Sequence, residues 1–362
     1  MHVTEDTSAR VTDYLQRMHL WHRYGQERGL SVEQLVGSKV QAQDFWLSDP
    51  ALPSSSGAIT DRVEEEPIQW AIALRLVRAA NHTLTDRGHA LLAAAAPQQQ
   101  SLQQTRGAPN PMLLSQGAAL IVLYALLEAD YDFVRCVHRV TTPKSGEVFS
   151  RATASASMGA ACRLLREENL RRVRTGEDRQ RLTRLKELAE SIESAGDAPT
   201  RGGARPPDQT STVRLEPYVD LGLIGRQSRY EYRYLLSPSQ FKFWSSIVEQ
   251  PDGQHWLGEM VVGSYVRGRG LPLAEVEPEQ VWDVIRDSWA ALRSTMGYAS
   301  ITEMLLLANA NLLDQGIGYF ELSAGMTALR ELDRAHPRSL RFTMARGGKI
   351  SYVRFNDAGG PK

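Results

Sequence analysis

His19 and His22, in "HLWH", stand three residues apart, a spacing that puts two imidazoles on one helix face and would suit a metal ion. A metal centre also needs a third ligand and a partner that orients the rings. None follows at a recognisable spacing. Glu64, Glu65 and Glu66 offer three carboxylates, but they open an apolar helix, where acidic side chains complement the positive end of the helix dipole. Cys136 and Cys162 fit no metal or redox spacing and read as free thiols of a reducing compartment. A metal nuclease would need an Asp-bearing strand followed by Glu-x-Lys, and "RLKELAE" has those letters in another order on a helix. "GRGLPL" and "RGGARPP" lack the Lys-Ser/Thr of a phosphate loop, and Gly-x-Ser-x-Gly does not occur. The expectation is a chain that is not an enzyme and holds no metal or cofactor.

What remains is cationic chemistry, and it is local. The whole chain carries 42 basic and 42 acidic residues, so any attraction to a polyanion must come from clustering. From Arg338 to the C-terminus, six basic residues face one acidic residue. There "RSLRFTMARGGKISYVRF" alternates about Gly347-Gly348, which predicts a β-hairpin with Arg346 and Lys349 at its tip. Such a tip would sit beside a phosphate backbone and release counterions on contact. Arg338, Arg341 and Arg354 extend the same basic surface. On the helix before it, Thr327, Arg330, Glu331 and Arg334 share one side. A second candidate hairpin, "GLIGRQSRYEYRY", carries Arg226 and Arg229, with Tyr230, Tyr232 and Tyr234 on its core face. Arg163 to Lys186 holds nine basic and four acidic residues and reads as a solvated helix laced with pairs such as Glu168/Arg172.

The elements that must position these residues are mostly helical. "EEEPIQWAIALRLVRAA" and "DRGHALLAAAA" read as helices of an N-terminal winged-helix-like domain, 1–107, with "PQQQSLQQTRGAPNP" as its boundary. Residues 108–193 form a helical middle region, whose apolar run Met112 to Val140 is core. Residues 194–211, rich in Gly, Pro and Ala, form a linker. Residues 212–274 hold a helix with Tyr218, Val219 and Leu221, the strand "YEYRYLL" and a following helix. Residues 275–362 contain three helices and the hairpin. Within them a Ser300-x-x-Glu303 capping box starts the second helix, Gly316 ends it and Pro337 closes the third. The N-terminus lacks the basic start and apolar core of a secretory signal, and no apolar run reaches the ~20 residues of a spanning helix, so a cytoplasmic protein is expected.

Three helices followed by a β-hairpin resemble the winged helix-turn-helix superfamily. "NHTLTDRGHALL", "RLEPYVDLGLI…YEYRYLLSPSQ" and the C-terminal segment carry the resemblance, over about half of the chain. It also suggests why Leu-Thr or Leu-Ser opens a helix three times, in "HTLTDRGHALL", "MLLSQGAALIVL" and "YLLSPSQFKFW": in that superfamily the last wing strand commonly runs through such a pair into the next helix. The resemblance implies a mostly α fold with small β-hairpins, with tandem winged-helix-like domains joined by the helical middle region. It further implies binding of double-stranded DNA by Arg226, Arg229, Arg330, Arg334, Arg338, Arg341, Arg346, Lys349 and Arg354. By analogy the chain would serve as the recognition or recruitment subunit of a multi-component bacterial system, such as anti-phage defence, with a protein partner. Two alternatives are a kleisin-like or scaffold subunit docking on an ATPase and a ligand-responsive transcription regulator.

Overall fold

The computed structural model describes residues 72, 74–78, 84–102, 115–141, 148–150, 217–228, 233–344 and 350–356, with isolated positions between 160 and 183. In chain order the elements are α1 (Asp86–Leu102), α2 (Gln116–Thr141), β1 (Val148–Ser150), β2 (Gly225–Ser228), β3 (Arg233–Leu235), α3 (Pro238–Glu249), α4 (Gly253–Glu259) and α5 (Val261–Gly268). A single 3-10 turn, Pro278–Val281, leads into α6 (Trp282–Leu292), β4 (Ala299–Ser300), α7 (Ile301–Asp314), α8 (Leu322–Ala335), β5 (Leu340–Met344) and β6 (Ile350–Phe355). The protein is thus mostly α with small antiparallel sheets. Among the described residues no helix is long and apolar enough to cross a membrane.

Two compact units divide the chain, residues 1–125 with 276–362, and residues 126–275. These divisions differ from those that composition draws. Residues 116–125 of the middle region join the C-terminal segment, and β1, also in the middle region, pairs with β3 across the expected linker. Hydrogen-bond pairing and burial define the units, and composition reports neither.

In the first unit α7 lies at the centre. Ten apolar or small-polar residues and Glu303 are buried along its fourteen positions, so it has no solvent face and needs cover on every side. α1, α6 and α8 supply it, together with β4 and β6. α2 approaches so closely that a Cβ on Gly117 would lie 2.3 Å from the Ala310 carbonyl oxygen, and the Gly117 N–H donates to the Asp314 carboxylate at 2.9 Å. Glu303 is the polar exception. Arg87 of α1 donates to it at 3.0 Å, with side chains only 7% and 11% exposed, and the Arg87 guanidinium also lies 5.1 Å from the Tyr124 ring centre. The expected capping box does not form. The Ser300 hydroxyl bonds to the Glu303 carboxylate and makes no cap to the backbone, because Arg87 holds that carboxylate in the interior.

Two N-terminal expectations are corrected. The helix expected through Ala80 has ended by Leu74: Arg75 has φ +55° and Val77 forms an antiparallel bridge with Leu84. Leu74, Leu76 and Val77 are buried, and a short apolar run does not distinguish helix from strand. Conversely α1 runs past Pro97 to Leu102, into the expected boundary. Low apolar content reports poor burial, whereas Gln is a good helix former.

The Leu-Thr and Leu-Ser pairs acquire a mechanism here. Thr85 accepts from the Gly88 N–H at 3.1 Å, Ser115 from Ala118 at 2.9 Å and Ser237 from Gln240 at 3.3 Å. Each hydroxyl satisfies an orphan donor of its helix's first turn. Gln240 completes a full capping box at Ser237 and donates onward to the Gly222 carbonyl at 2.8 Å.

The second unit has an aromatic core. Trp244, fully buried, donates from Nε1 to the Leu223 carbonyl at 2.8 Å and stacks on His138 with ring centres 3.6 Å apart. Tyr218 and Phe243 meet the same indole edge-on, and Tyr131 donates to the Gln250 carbonyl at 2.9 Å. Glu168 pairs with Arg135 at 2.7 Å and with Arg139, both on α2; its expected partner Arg172 lies outside the described residues.

Two outcomes follow. Arg87→Met should destabilise the first unit by about 3–5 kcal/mol, since it leaves a buried carboxylate uncompensated. Arg87→Met with Glu303→Leu should recover most of that loss, as measured by denaturant unfolding. Burial also pushes the His138 imidazole down to about 3 from its ordinary 6.5. Between those values the unfolded chain binds the extra proton, so the contribution of neutral His138 is whole above about pH 6.5 and is lost as pH falls. His138→Phe keeps the stack and cannot be protonated. It should flatten the acid limb of unfolding midpoints by about one proton relative to the unsubstituted chain.

Candidate nucleic-acid interface

The sequence-predicted basic residues are carried by α8 and the β5–β6 hairpin. α8 is set by the turn that precedes it. α7 ends at Gln315, Gly316 adopts φ +69°, and the Ile317 N–H returns to the Leu312 carbonyl at 3.0 Å. Asn309, wholly buried, donates to the Leu305 carbonyl at 3.0 Å and accepts from the Phe320 N–H at 3.0 Å. That side chain pins the far end of the turn. Gly325 then lets α8 close on α7: a Cβ there would meet Leu305 and Phe320 side chains at 2.8 Å. Leu322, Ala328 and Leu329 complete the buried stripe. Thr327, Arg330, Glu331 and Arg334 are therefore left exposed on the other side, as their spacing predicts.

β5 and β6 pair antiparallel, with β4 on the free side of β6. Val353 is buried and Phe342 half-buried toward the helices, while Arg341 and Arg354 are exposed. Between α8 and β5 the chain turns at Pro337-Arg338. Arg338 takes φ +81°, and its carbonyl accepts from Asn356 Nδ2 at 2.7 Å. The Asn356 N–H also bonds to the Ser339 carbonyl at 2.9 Å, so the end of β6 clamps the start of β5.

Six of the nine candidate residues lie among the described residues. Arg330 and Arg334 share the exposed side of α8. Arg346 and Lys349, at the expected tip, lie outside the described residues, as does Arg229. Arg226 is half-buried on β2 opposite Tyr234, and belongs to the other compact unit. Tyr234 is fully buried, in keeping with a core role, while Tyr230 and Tyr232 lie outside the described residues.

Arg341 and Arg354 stand directly opposite each other at the base of the hairpin, four strand positions from the 345–349 segment. Arg293, at the end of α6, joins them in a cleft of about 770 Å³ that includes Ser294, Thr295 and Tyr298. Sequence reading missed Arg293 and Tyr298, because strand pairing and the α6–β4 turn bring them to the hairpin from some fifty residues away in the chain.

Among the described residues no group of three or more His, Cys, Asp or Glu is placed to hold an ion; His19, His22, Glu64 to Glu66 and Cys162 lie outside them. No protein family, curated protein or solved structure matches the chain.

The clamp at Arg338 is separable from its charge. Arg338→Gly should hold or raise stability by up to about 1 kcal/mol, because glycine enters the left-handed region without a Cβ clash. Arg338→Val should lower it. Thermal unfolding of the two variants distinguishes a backbone role from an electrostatic one.

Proposed function

We propose that the chain is a non-catalytic, duplex-DNA-binding protein built from tandem winged helix-turn-helix domains, acting as the recognition or recruitment subunit of a multi-component bacterial system. The observation that carries this reading is the order α6–β4–α7–α8–β5–β6 with the sheet order β4-β6-β5. That is the order in which a winged helix-turn-helix presents its recognition helix and wing. In that frame α8 is the recognition helix, with Arg330 and Arg334 able to reach base edges and Thr327 beside them. The hairpin tip carries Arg346 and Lys349 to the phosphate backbone. Recurrence supports the tandem arrangement: in the other unit β1, β2 and β3 also form an antiparallel sheet in which the first strand pairs with the third and the third with the second. In that unit the last strand leads into a Ser-capped helix.

A second reading, docking on a protein partner such as an ATPase, draws on Glu331 in the exposed face of α8 and on Met344, 70% exposed beside the hairpin tip. An acidic residue opposes phosphate, and an exposed thioether suits an apolar partner.

Duplex binding measured against salt separates the two. Arg346→Ala with Lys349→Ala should weaken binding for all sequences and lower the log–log salt slope by about two, one per lost phosphate contact. Arg330→Ala with Arg334→Ala should instead relax sequence preference. An unchanged slope in a folded Arg346/Lys349 variant removes the wing from the interface. Absence of duplex binding even at low salt overturns the DNA reading in favour of protein docking.

A further inference from the structure

The three-arginine cleft has a construction that duplex recognition at the hairpin tip does not call for. Arg341 and Arg354 are direct cross-strand partners, which places their Cβ atoms about 4.5–5.5 Å apart with like charges side by side. Such a pair destabilises the sheet unless an anion lies between. No carboxylate lines the cleft, and none of its three arginines has an acidic partner among the described residues. In a chain with as many acidic as basic residues, the cleft gathers three guanidinium groups and, among the described residues, no carboxylate.

The cleft is also held in shape by contacts that leave the charges free. The Arg293 guanidinium lies 5.0 Å from the centre of the Trp289 ring, a cation–π contact that positions the group without neutralising it. Trp289 in turn packs on Phe355 with ring centres 5.3 Å apart, and its Nε1 donates to the Gly297 carbonyl at 3.1 Å. Gly297 has φ +81°, and a Cβ there would stand 3.3 Å from Arg354 Nε, so glycine both permits the turn and leaves room for that side chain. The turn is closed by the Gly297 N–H to the Ser294 carbonyl at 2.8 Å and by the Tyr298 N–H to the Ser294 hydroxyl at 3.3 Å. One buried indole therefore ties together the α6 end, the β4 turn and the end of β6.

We propose that Arg293, Arg341 and Arg354 form a binding site for a phosphate group, separate from the α8 face and the hairpin tip. Guanidinium forks match phosphate oxygens with paired hydrogen bonds, and a carboxylate-free lining with nearby hydroxyls favours an oxyanion over a cation. The volume falls in the range of small-ligand pockets, roughly 300–1,000 Å³. The phosphate is either that of a small molecule, such as a nucleotide, or a diester of a nucleic-acid backbone. The concave lining, of a volume that suits a small ligand, favours the small molecule. The site does not depend on duplex binding at the tip.

The test uses the full chain and inorganic pyrophosphate as probe, by titration calorimetry and thermal unfolding. Saturable 1:1 binding and a raised Tm are expected. Arg341→Gln with Arg354→Gln should weaken binding at least tenfold and abolish the Tm rise. That variant removes a repulsive pair, so without ligand it should unfold no earlier than the unsubstituted protein, and loss of binding cannot then be ascribed to misfolding. Arg293→Gln alone should weaken binding and leave the sheet untouched. Adding a short duplex identifies the source: competition with pyrophosphate assigns the site to a backbone phosphate, and simultaneous binding assigns it to a small molecule. No saturable binding to the unsubstituted chain, or equal binding by the folded double variant, overturns the proposal. Neither result bears on the salt slope of the Arg346/Lys349 variant.

Discussion

Burial of α7 on all sides is the constraint from which the first unit follows. A helix with Leu305, Leu306, Leu307, Leu312 and Leu313 in the interior has no stripe to leave in water, so a sheet and two neighbours cannot satisfy it. Residues before 125 must return to complete the enclosure, and α1 and the start of α2 do so. Among the described residues, a buried carboxylate enters this interior at Glu303, and the cost of desolvating it is offset by Arg87 from 216 residues earlier. The ion pair specifies which segment covers α7 more than it adds stability, since an unpaired carboxylate there would penalise any other arrangement.

The candidate interface inherits its geometry from that core. α8 can present arginines only because its opposite side is seated, through Gly325, against Leu305 of α7. The turn between the two helices is held by a buried amide, Asn309, bonded at both ends to backbone. The hairpin is placed by β4, a two-residue strand that leads directly into α7, and by the Asn356 clamp at Arg338. The links at Gly325 and Asn309 are buried, which suits a rigid presentation of exposed side chains. As a result the described basic residues divide between a helix face, Arg330 and Arg334, and a cleft at the hairpin base, Arg341 and Arg354.

The two units solve the same pairing problem with different fillings. Both sheets have their chain-last strand in the middle, yet the core of one unit is built on an aliphatic helix and that of the other contains the buried aromatics Trp244, Trp256, Tyr234 and Tyr265. In the second unit the polar edges of the aromatics are satisfied one by one, Trp244 on the Leu223 carbonyl, Trp256 on Ser246 and Tyr131 on Gln250. His138 pays for its place in this core by remaining neutral, stacked flat on Trp244.

Local chemistry was legible in the sequence wherever a few adjacent residues decide the outcome. The three helices after residue 275, the break at Gly316, the closure of α8 before Pro337 and the alternation about the C-terminal hairpin were all readable, as was the exposed set Thr327, Arg330, Glu331 and Arg334 on one helix face. Side-chain periodicity and turn stereochemistry act within a few residues, so they are written there. What only the tertiary structure decided lies between distant residues. Glu303 looked like a cap and is instead the partner of Arg87, because burial outweighs a local hydrogen bond. Leu74 to Val77 looked like the end of a helix and are instead a turn and a bridge to Leu84, because an apolar run states only that it will be buried. Arg293 carried no signal at all, and Arg341 and Arg354 seemed part of a single basic stripe. Strand register set those two opposite each other and the α6–β4 turn brought the third, and register is a property of pairing that no single strand contains.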